Sequence, residues 1–161
     1  MSGELVARPV DPDAFAPYGV VVQRPARAHD AEGPGWRWWA ETAGLPETGG
    51  EYGIGFLALE PAPLRFDWAE RHLRSPELVL AIGGDCLVYV AEATPGRHEP
   101  GPFAIFRLQP GQGVILAPGV WHGAPLSAGA DAAAMVLLRR GTGAEDTAIV
   151  RFADAPVTVA G

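Results

Sequence analysis

The chain has 161 residues, a formal net charge of −7 and no basic cluster longer than Arg139-Arg140, which argues against a nucleic-acid partner. No apolar run approaches the roughly 18 residues that span a bilayer, and Met1-Ser2-Gly3-Glu4 lacks the basic start and apolar core of a signal peptide, so neither a membrane partner nor export is expected. Cys86 is the only cysteine, which excludes an internal disulfide and fits a reducing cytoplasm, and the absence of lysine excludes Schiff-base catalysis by a lysine side chain.

A chain of this length suits one domain, expected to run over 1–161. Gly and Pro punctuate it throughout and long 3.6-residue periodicities are missing, the pattern of many short strands. Residues 5–10 read as a first strand. Asp11-Pro12-Asp13-Ala14-Phe15 reads as a short helix, with Asp11 as N-cap and Pro12 at the first helical position. Residues 20–23 read as a strand, and 24–50 as a long irregular loop carrying Trp36, Trp38 and Trp39, of which Trp38 or Trp39 is a candidate to close over a ligand.

Strands are then expected over 53–60, 64–72, 78–82, 86–91, 103–108, 114–117, 135–139 and 148–152. Gly83-Gly84-Asp85 reads as a hairpin turn, and the tail after Asp154 as loosely held. The class is all-β, a barrel or jelly roll with one short helix near the amino terminus. Cys86 sits in an apolar run and reads as a buried, inert thiol. His29 and His98 lie in polar loops and read as solvated.

The segment 64–72 alternates. Leu64, Phe66, Trp68, Glu70 and His72 share one face, and Arg65, Asp67, Ala69 and Arg71 the other, which reads as the outside. A carboxylate on an inward face is costly unless it is paired, hydrogen-bonded or metal-bound. Glu70 and His72, with Glu77 shortly after and His122 behind Pro118-Gly119-Val120-Trp121, are therefore the candidate site. Two imidazoles and one or two carboxylates suit a borderline divalent ion such as nickel, manganese, iron or zinc. The same residues also fit structural roles, as core histidines and as glutamates paired with Arg71 or Arg74. Arg37, Arg74, Arg139 and Arg140 are candidates to grip a carboxylate, and Tyr89 to hydrogen-bond a ligand.

These motifs resemble the cupins. Glu70-x-His72, four residues, Glu77, six residues and Gly84 is similar to the first cupin motif, with Glu70 where its first histidine stands. Gly113, Pro118, Gly119 and His122 are similar to the second. Within the cupins the chain resembles the ureidoglycolate lyases. The likeness rests on Phe15-Ala16-Pro17-Tyr18-Gly19-Val20, Glu70-Arg71-His72, Gly119-Val120-Trp121-His122 with Pro125, and Arg140-Gly141-Thr142-Gly143 with Asp146. Three histidines of that family are replaced, by Trp39, Ala117 and Gly123, and a family glutamine is Glu77.

The resemblance implies a cupin double-stranded β-helix, a homodimer, and cleavage of a small carboxylate substrate, ureidoglycolate, to glyoxylate and urea in purine (allantoin) degradation, without an organic cofactor. It implies His72, Glu77, His122 and Glu70 as metal ligands, with Glu70, His72 and His122 in catalysis. Another metal-dependent cupin enzyme, an isomerase or dioxygenase, and a ligand-binding cupin without turnover are the alternatives.

Overall fold

Short apolar segments between Gly and Pro turns form an almost entirely β structure, as expected. The structure, a computed structural model, describes residues 4–152 and 155–160. In chain order the strands are β1 (Leu5–Val6), β2 (Arg8–Pro9), β3 (Gly19–Val22), β4 (Ala31–Gly33), β5 (Trp36–Trp38) and β6 (Tyr52–Leu59). Next come β7 (Arg65–Phe66), β8 (Trp68–Arg71), β9 (Glu77–Gly83), β10 (Cys86–Ala91), β11 (Ala104–Leu108) and β12 (Gly113–Leu116). The last are β13 (Trp121–His122), β14 (Leu126–Ser127), β15 (Ala132–Arg139), β16 (Ala148–Arg151) and β17 (Val157–Ala160). Helix α1 (Pro12–Phe15) is capped by the Asp11 carboxylate, which accepts from the Asp13 and Ala14 amides, and α2 (Thr142–Glu145) is a second single turn.

Two sheets face each other. One has the order β3-β12-β9-β15-β6; the other runs β16-β8-β13-β10-β11-β2, with β14 also on β10. Val79, Ala81, Val114, Leu116 and Val136 from the first meet Cys86, Val88, Val90, Phe106 and Leu108 from the second, and Phe15 packs edge-on against Phe106 at 5.1 Å. The larger sheet is covered on its other side too. Leu87, Tyr89, Ala91, Ile105 and Trp121 lie with Phe66 and Val159 in a second cluster, beneath the small sheet β1-β17-β7. Every residue of β10 is buried, which is why 86–91 is an unbroken apolar run rather than an alternating one.

Several expectations are corrected. The strand expected over 64–72 breaks at Asp67, because β7 joins β17 while β8 joins β16 and β13. The break shifts the side-chain parity, so Phe66 joins Ala69 in the outer cluster instead of sharing a face with Glu70. Gly83-Gly84-Asp85 is not a hairpin turn. β9 pairs with β12 and β15 and β10 with β11, β13 and β14, so the turn carries the chain from one sheet to the other. Gly84 has φ +69°, and a Cβ there would lie 2.6 Å from the Asp131 carbonyl oxygen. The tail is held, since β17 pairs with both β1 and β7; Asp154 itself lies outside the described residues.

The segment 24–50 contains the β4–β5 hairpin, tied by Arg27, whose guanidinium bonds Asp30 and the Ala40 carbonyl. Among the described residues no helix is long and apolar enough to cross a membrane. Cys86 is fully buried, and burial together with the Asp85 charge pushes its thiol up to about 11, as an inert thiol requires.

Candidate active site

β8 and β13 are antiparallel neighbours with Glu70 opposite His122, so both side chains leave the sheet on one face. That face is the barrel interior, because Trp121, one residue earlier, lies in the outer cluster. His72 keeps the parity of Glu70 just past the end of β8. Glu77 opens β9 in the opposite sheet. Donor atoms of Glu70, His72 and His122 all lie within 4.8 Å of one another. Glu77 Oε2 lies 3.1 Å from His72 Nε2 and 3.3 Å from His122 Nε2. All four sequence-derived site residues thus converge, and neither glutamate pairs with Arg71 or Arg74 among the described residues.

The far side of each ring decides its chemistry. His72 Nδ1 donates to the Asp146 carbonyl oxygen at 3.0 Å, and His122 Nδ1 to the Val120 carbonyl oxygen at 2.9 Å. A carbonyl only accepts, so both hydrogens sit on Nδ1 and both Nε2 atoms turn to the carboxylate. In neutral rings these are lone pairs facing an anion. The cluster therefore needs a shared proton or a cation at its centre. Burial alone would lower the pKa of His122, but the Glu77 hydrogen bond and charge lift it above its ordinary value. Burial would raise Glu77, but hydrogen bonds from His122 and His72 and their charge hold it at about 2.

The same geometry fits a metal ion. Ligands about 2.0–2.2 Å from one ion stand roughly 3.0–3.5 Å apart, the spacing of Glu77 from both Nε2 atoms. Metal-bound histidines hand their other N–H to a carbonyl or carboxylate, as both rings do here.

Glu70, His72 and Glu77 line a cavity of about 340 Å³, closed by Leu57, Val136 and Leu138, with Phe56 and Ile149 among its other lining residues. His122, 3% exposed, is not among the lining residues and reaches the site through its contact with Glu77. Among the described residues no arginine lines this cavity. Arg37 faces Glu32, Arg74 faces Asp146, Arg139 faces Glu145 and Arg140 faces Glu51, so the expected guanidinium grip is absent. Tyr89 also falls away from the site. It is 1% exposed in the outer cluster, stacks on Phe66 at 3.8 Å and donates to the Trp68 carbonyl. Trp38 projects into solvent, while Trp39 donates to the Arg27 carbonyl and packs near His29 and Arg24, so neither covers the cavity. His98 is exposed, but His29 is tied to Glu32 at 3.1 Å.

Sequence reasoning found Asp146 only through the resemblance and did not find Thr147. The Asp146 carboxylate accepts from the Leu73, Arg74 and Ser75 amides and so clamps the loop joining His72 to Glu77, while its own carbonyl orients His72. The Thr147 hydroxyl donates to the Thr142 carbonyl and lies 3.2 Å from His72 Nδ1. The only local signal was a turn, Gly141-Thr142-Gly143, with an acid after it. Burial would raise the Asp146 pKa, but the three amides and Arg74 bring it below its ordinary value. Its stabilisation is complete above the unfolded value near 4 and is lost as pH falls through the depressed folded value. Asp146→Asn is expected to cost about 2 kcal/mol at neutral pH. The gap from wild type should shrink on acidification, as read by urea unfolding at several pH values.

The profile of the ureidoglycolate lyase family matches residues 2–160. The chain is 29% identical over 146 residues to a ureidoglycolate lyase of Chelativorans sp. (strain BNC1), covering 87% of each chain. It is 34% identical over 125 residues to ureidoglycolate lyase 2 of Rhizobium meliloti (strain 1021), covering 74% of this chain and 76% of that one. Among solved structures it is similar to a dTDP-4-dehydrorhamnose 3,5-epimerase of Bacillus anthracis str. Ames, with TM-score 0.52 and 10% identity over 70% of this chain and 69% of that one. That last likeness supports the cupin jelly roll. With the family profile matched almost from end to end over a barrel that gathers Glu70, His72, Glu77 and His122, the chain belongs to the ureidoglycolate lyase family.

Proposed function

We propose that this protein is a ureidoglycolate lyase, a single cupin domain that splits ureidoglycolate into glyoxylate and urea. The observation that carries the reading is the convergence of two Nδ1-protonated imidazoles and two carboxylates, three of the four lining one cavity, in a family member. In this reading His72, His122 and Glu77 hold a divalent ion, nickel, manganese, iron or zinc, with Glu70 beside it. When bound, the ion supplies Lewis acidity to the hydroxyl and carboxylate oxygens of the substrate and lowers the hydroxyl pKa. A cation there also answers the lack of an arginine in the cavity.

The chain's own part is proton transfer and positioning. Glu70 is half-buried at the cavity and, unlike Glu77, is not within ion-pair distance of a histidine. It takes the hydroxyl proton as the O–H electrons become the carbonyl of glyoxylate and the carbon–nitrogen bond breaks. It then returns that proton to the departing urea nitrogen, so no outside acid or oxidant is needed. A positioned group of this kind contributes roughly 10²–10⁴-fold. Asp146 and Val120 hold the rings, and Leu57, Val136 and Leu138 supply an apolar wall.

Direct incubation with ureidoglycolate tests the reading, with glyoxylate release as the expected result; no release from metal-loaded protein would overturn it. Chelation should lower turnover at least about 100-fold and re-addition of one of the four ions should restore it, with bound metal measured in parallel. A homodimer in the cytoplasm is part of the reading. Ile54 and Phe56 are 69% and 67% exposed on edge strand β6, and Trp36 and Trp38 are exposed on the hairpin, apolar side chains that a second copy would cover. Light scattering on the eluting protein should give twice the chain mass.

The replaced histidines favour a ligand-binding cupin as the second reading, but the geometry weakens it. Neither Trp39 nor Ala117 lines the cavity, and a side chain at Gly123 would run into Tyr89.

A further inference from the structure

Arg71 stands between Glu70 and His72 yet faces the opposite way. It is 9% exposed, its guanidinium carbon lies 4.5 Å over the Trp121 ring, and Nη1 donates to the Arg97 carbonyl at 2.9 Å. Its Nε–H is buried with no hydrogen-bond partner. Among the described residues no carboxylate lies within ion-pair distance of Arg71 or Arg97. A guanidinium stays protonated at any pH the protein meets, and a buried charge without a counter-charge is costly.

Arg71 lines a cavity of about 330 Å³, together with Arg97, His98, Thr94 and Gly119. This cavity shares no lining residue with the barrel cavity. Arg97 and His98 are exposed, while Arg71 is buried. In a chain of net charge −7, Arg71, Arg97 and His98 thus line one mostly apolar hollow without an acid among its lining residues, while Arg97 also borders a neighbouring hollow with Glu92.

We propose that this second cavity binds a small oxyanion, a carboxylate or a phosphate, between Arg71 and Arg97. The Arg71 guanidinium, whose charge no carboxylate answers among the described residues, suits an oxyanion, and Arg97, exposed on the same hollow, supplies a second cation. The proposal does not depend on the lyase reading.

Calorimetric titration of the full chain with inorganic phosphate, and separately with glyoxylate, tests it. Saturable binding of at least one anion is expected, with Kd on the order of 1 mM. Arg97→Ala, a change at an exposed side chain, should weaken binding by about tenfold or more, and Arg71→Met should abolish it. His122→Ala should leave it intact. Phosphate alone would identify a phosphate site, glyoxylate alone a carboxylate site, and both a shared one. Failure of both anions to bind would overturn the proposal. So would binding that survives Arg97→Ala, or binding that is lost in His122→Ala, which would assign it to the barrel cavity.

Discussion

His122→Ala is expected to release glyoxylate at least about 10³-fold more slowly than the native protein and to lose most of its bound metal. The ring is 3% exposed, so no neighbouring side chain on the surface stands ready to replace it. Its removal takes away one of the two imidazoles that face Glu77 Oε2 and leaves a carboxylate buried with a single partner. Breaking a buried pair from one side costs about 3–5 kcal/mol, so the variant should also melt earlier while keeping a native far-ultraviolet spectrum. His72→Ala should behave alike. The double variant should be little worse than either single one, because residues that act as a unit are not additive. Glu70→Gln separates the roles. It should keep its metal and its melting temperature and lose about 10²–10⁴-fold in kcat. Metal analysis beside single-turnover glyoxylate release reads all four proteins. Full activity in the double variant would remove these residues from the chemistry.

The site was legible because its spacing is short-range. Glu70-x-His72 lies on one strand face, and Trp121-His122 reports its own parity, so two local patterns sufficed once a closed sheet was assumed. The inward or outward sense of their neighbours was not legible. Ala69 and Arg71 obey the alternation and point outward, but outward here is covered, Arg71 by the segment carrying the Arg97 carbonyl and Ala69 by a second layer made by β1, β7 and β17. That layer joins the two chain ends, a pairing no local window contains. Gly83-Gly84-Asp85 failed for a related reason. A glycine at positive φ serves a hairpin and a corner between sheets equally, and only the distant partners of β9 and β10 tell them apart. Asp67 carried no local mark of a strand break, since the break appears only in the distant partners of β7 and β8, which join different sheets. The β4–β5 hairpin was hidden by composition, because its turn lies among the Gly, Pro and Ala that made 24–50 read as irregular.

Gly123→Ala is expected to cost about 3 kcal/mol, the upper range for overpacking a rigid core, although it adds one methyl group. A Cβ at Gly123 would lie 1.7 Å from the Tyr89 hydroxyl oxygen and 2.5 Å from Cζ. Tyr89 cannot step aside. Its ring is stacked at 3.8 Å on Phe66 and its hydroxyl is bonded to the Trp68 carbonyl. Tyr89→Phe should not relieve the clash, since Cζ remains. Tyr89→Val should, at its own cost from the lost stacking and the void it leaves. The Gly123→Ala, Tyr89→Val double variant should therefore be more stable than the sum of the single losses by about 1–3 kcal/mol, read from urea midpoints at unchanged slope. Strict additivity would show that the clash is not the cause. The pairing also bears on the missing family histidine at position 123. With Tyr89 where it is, no side chain of any kind fits there, so the two positions must change together. Gly123→His should unfold the native background more severely than Gly123→Ala and should be better tolerated beside Tyr89→Val.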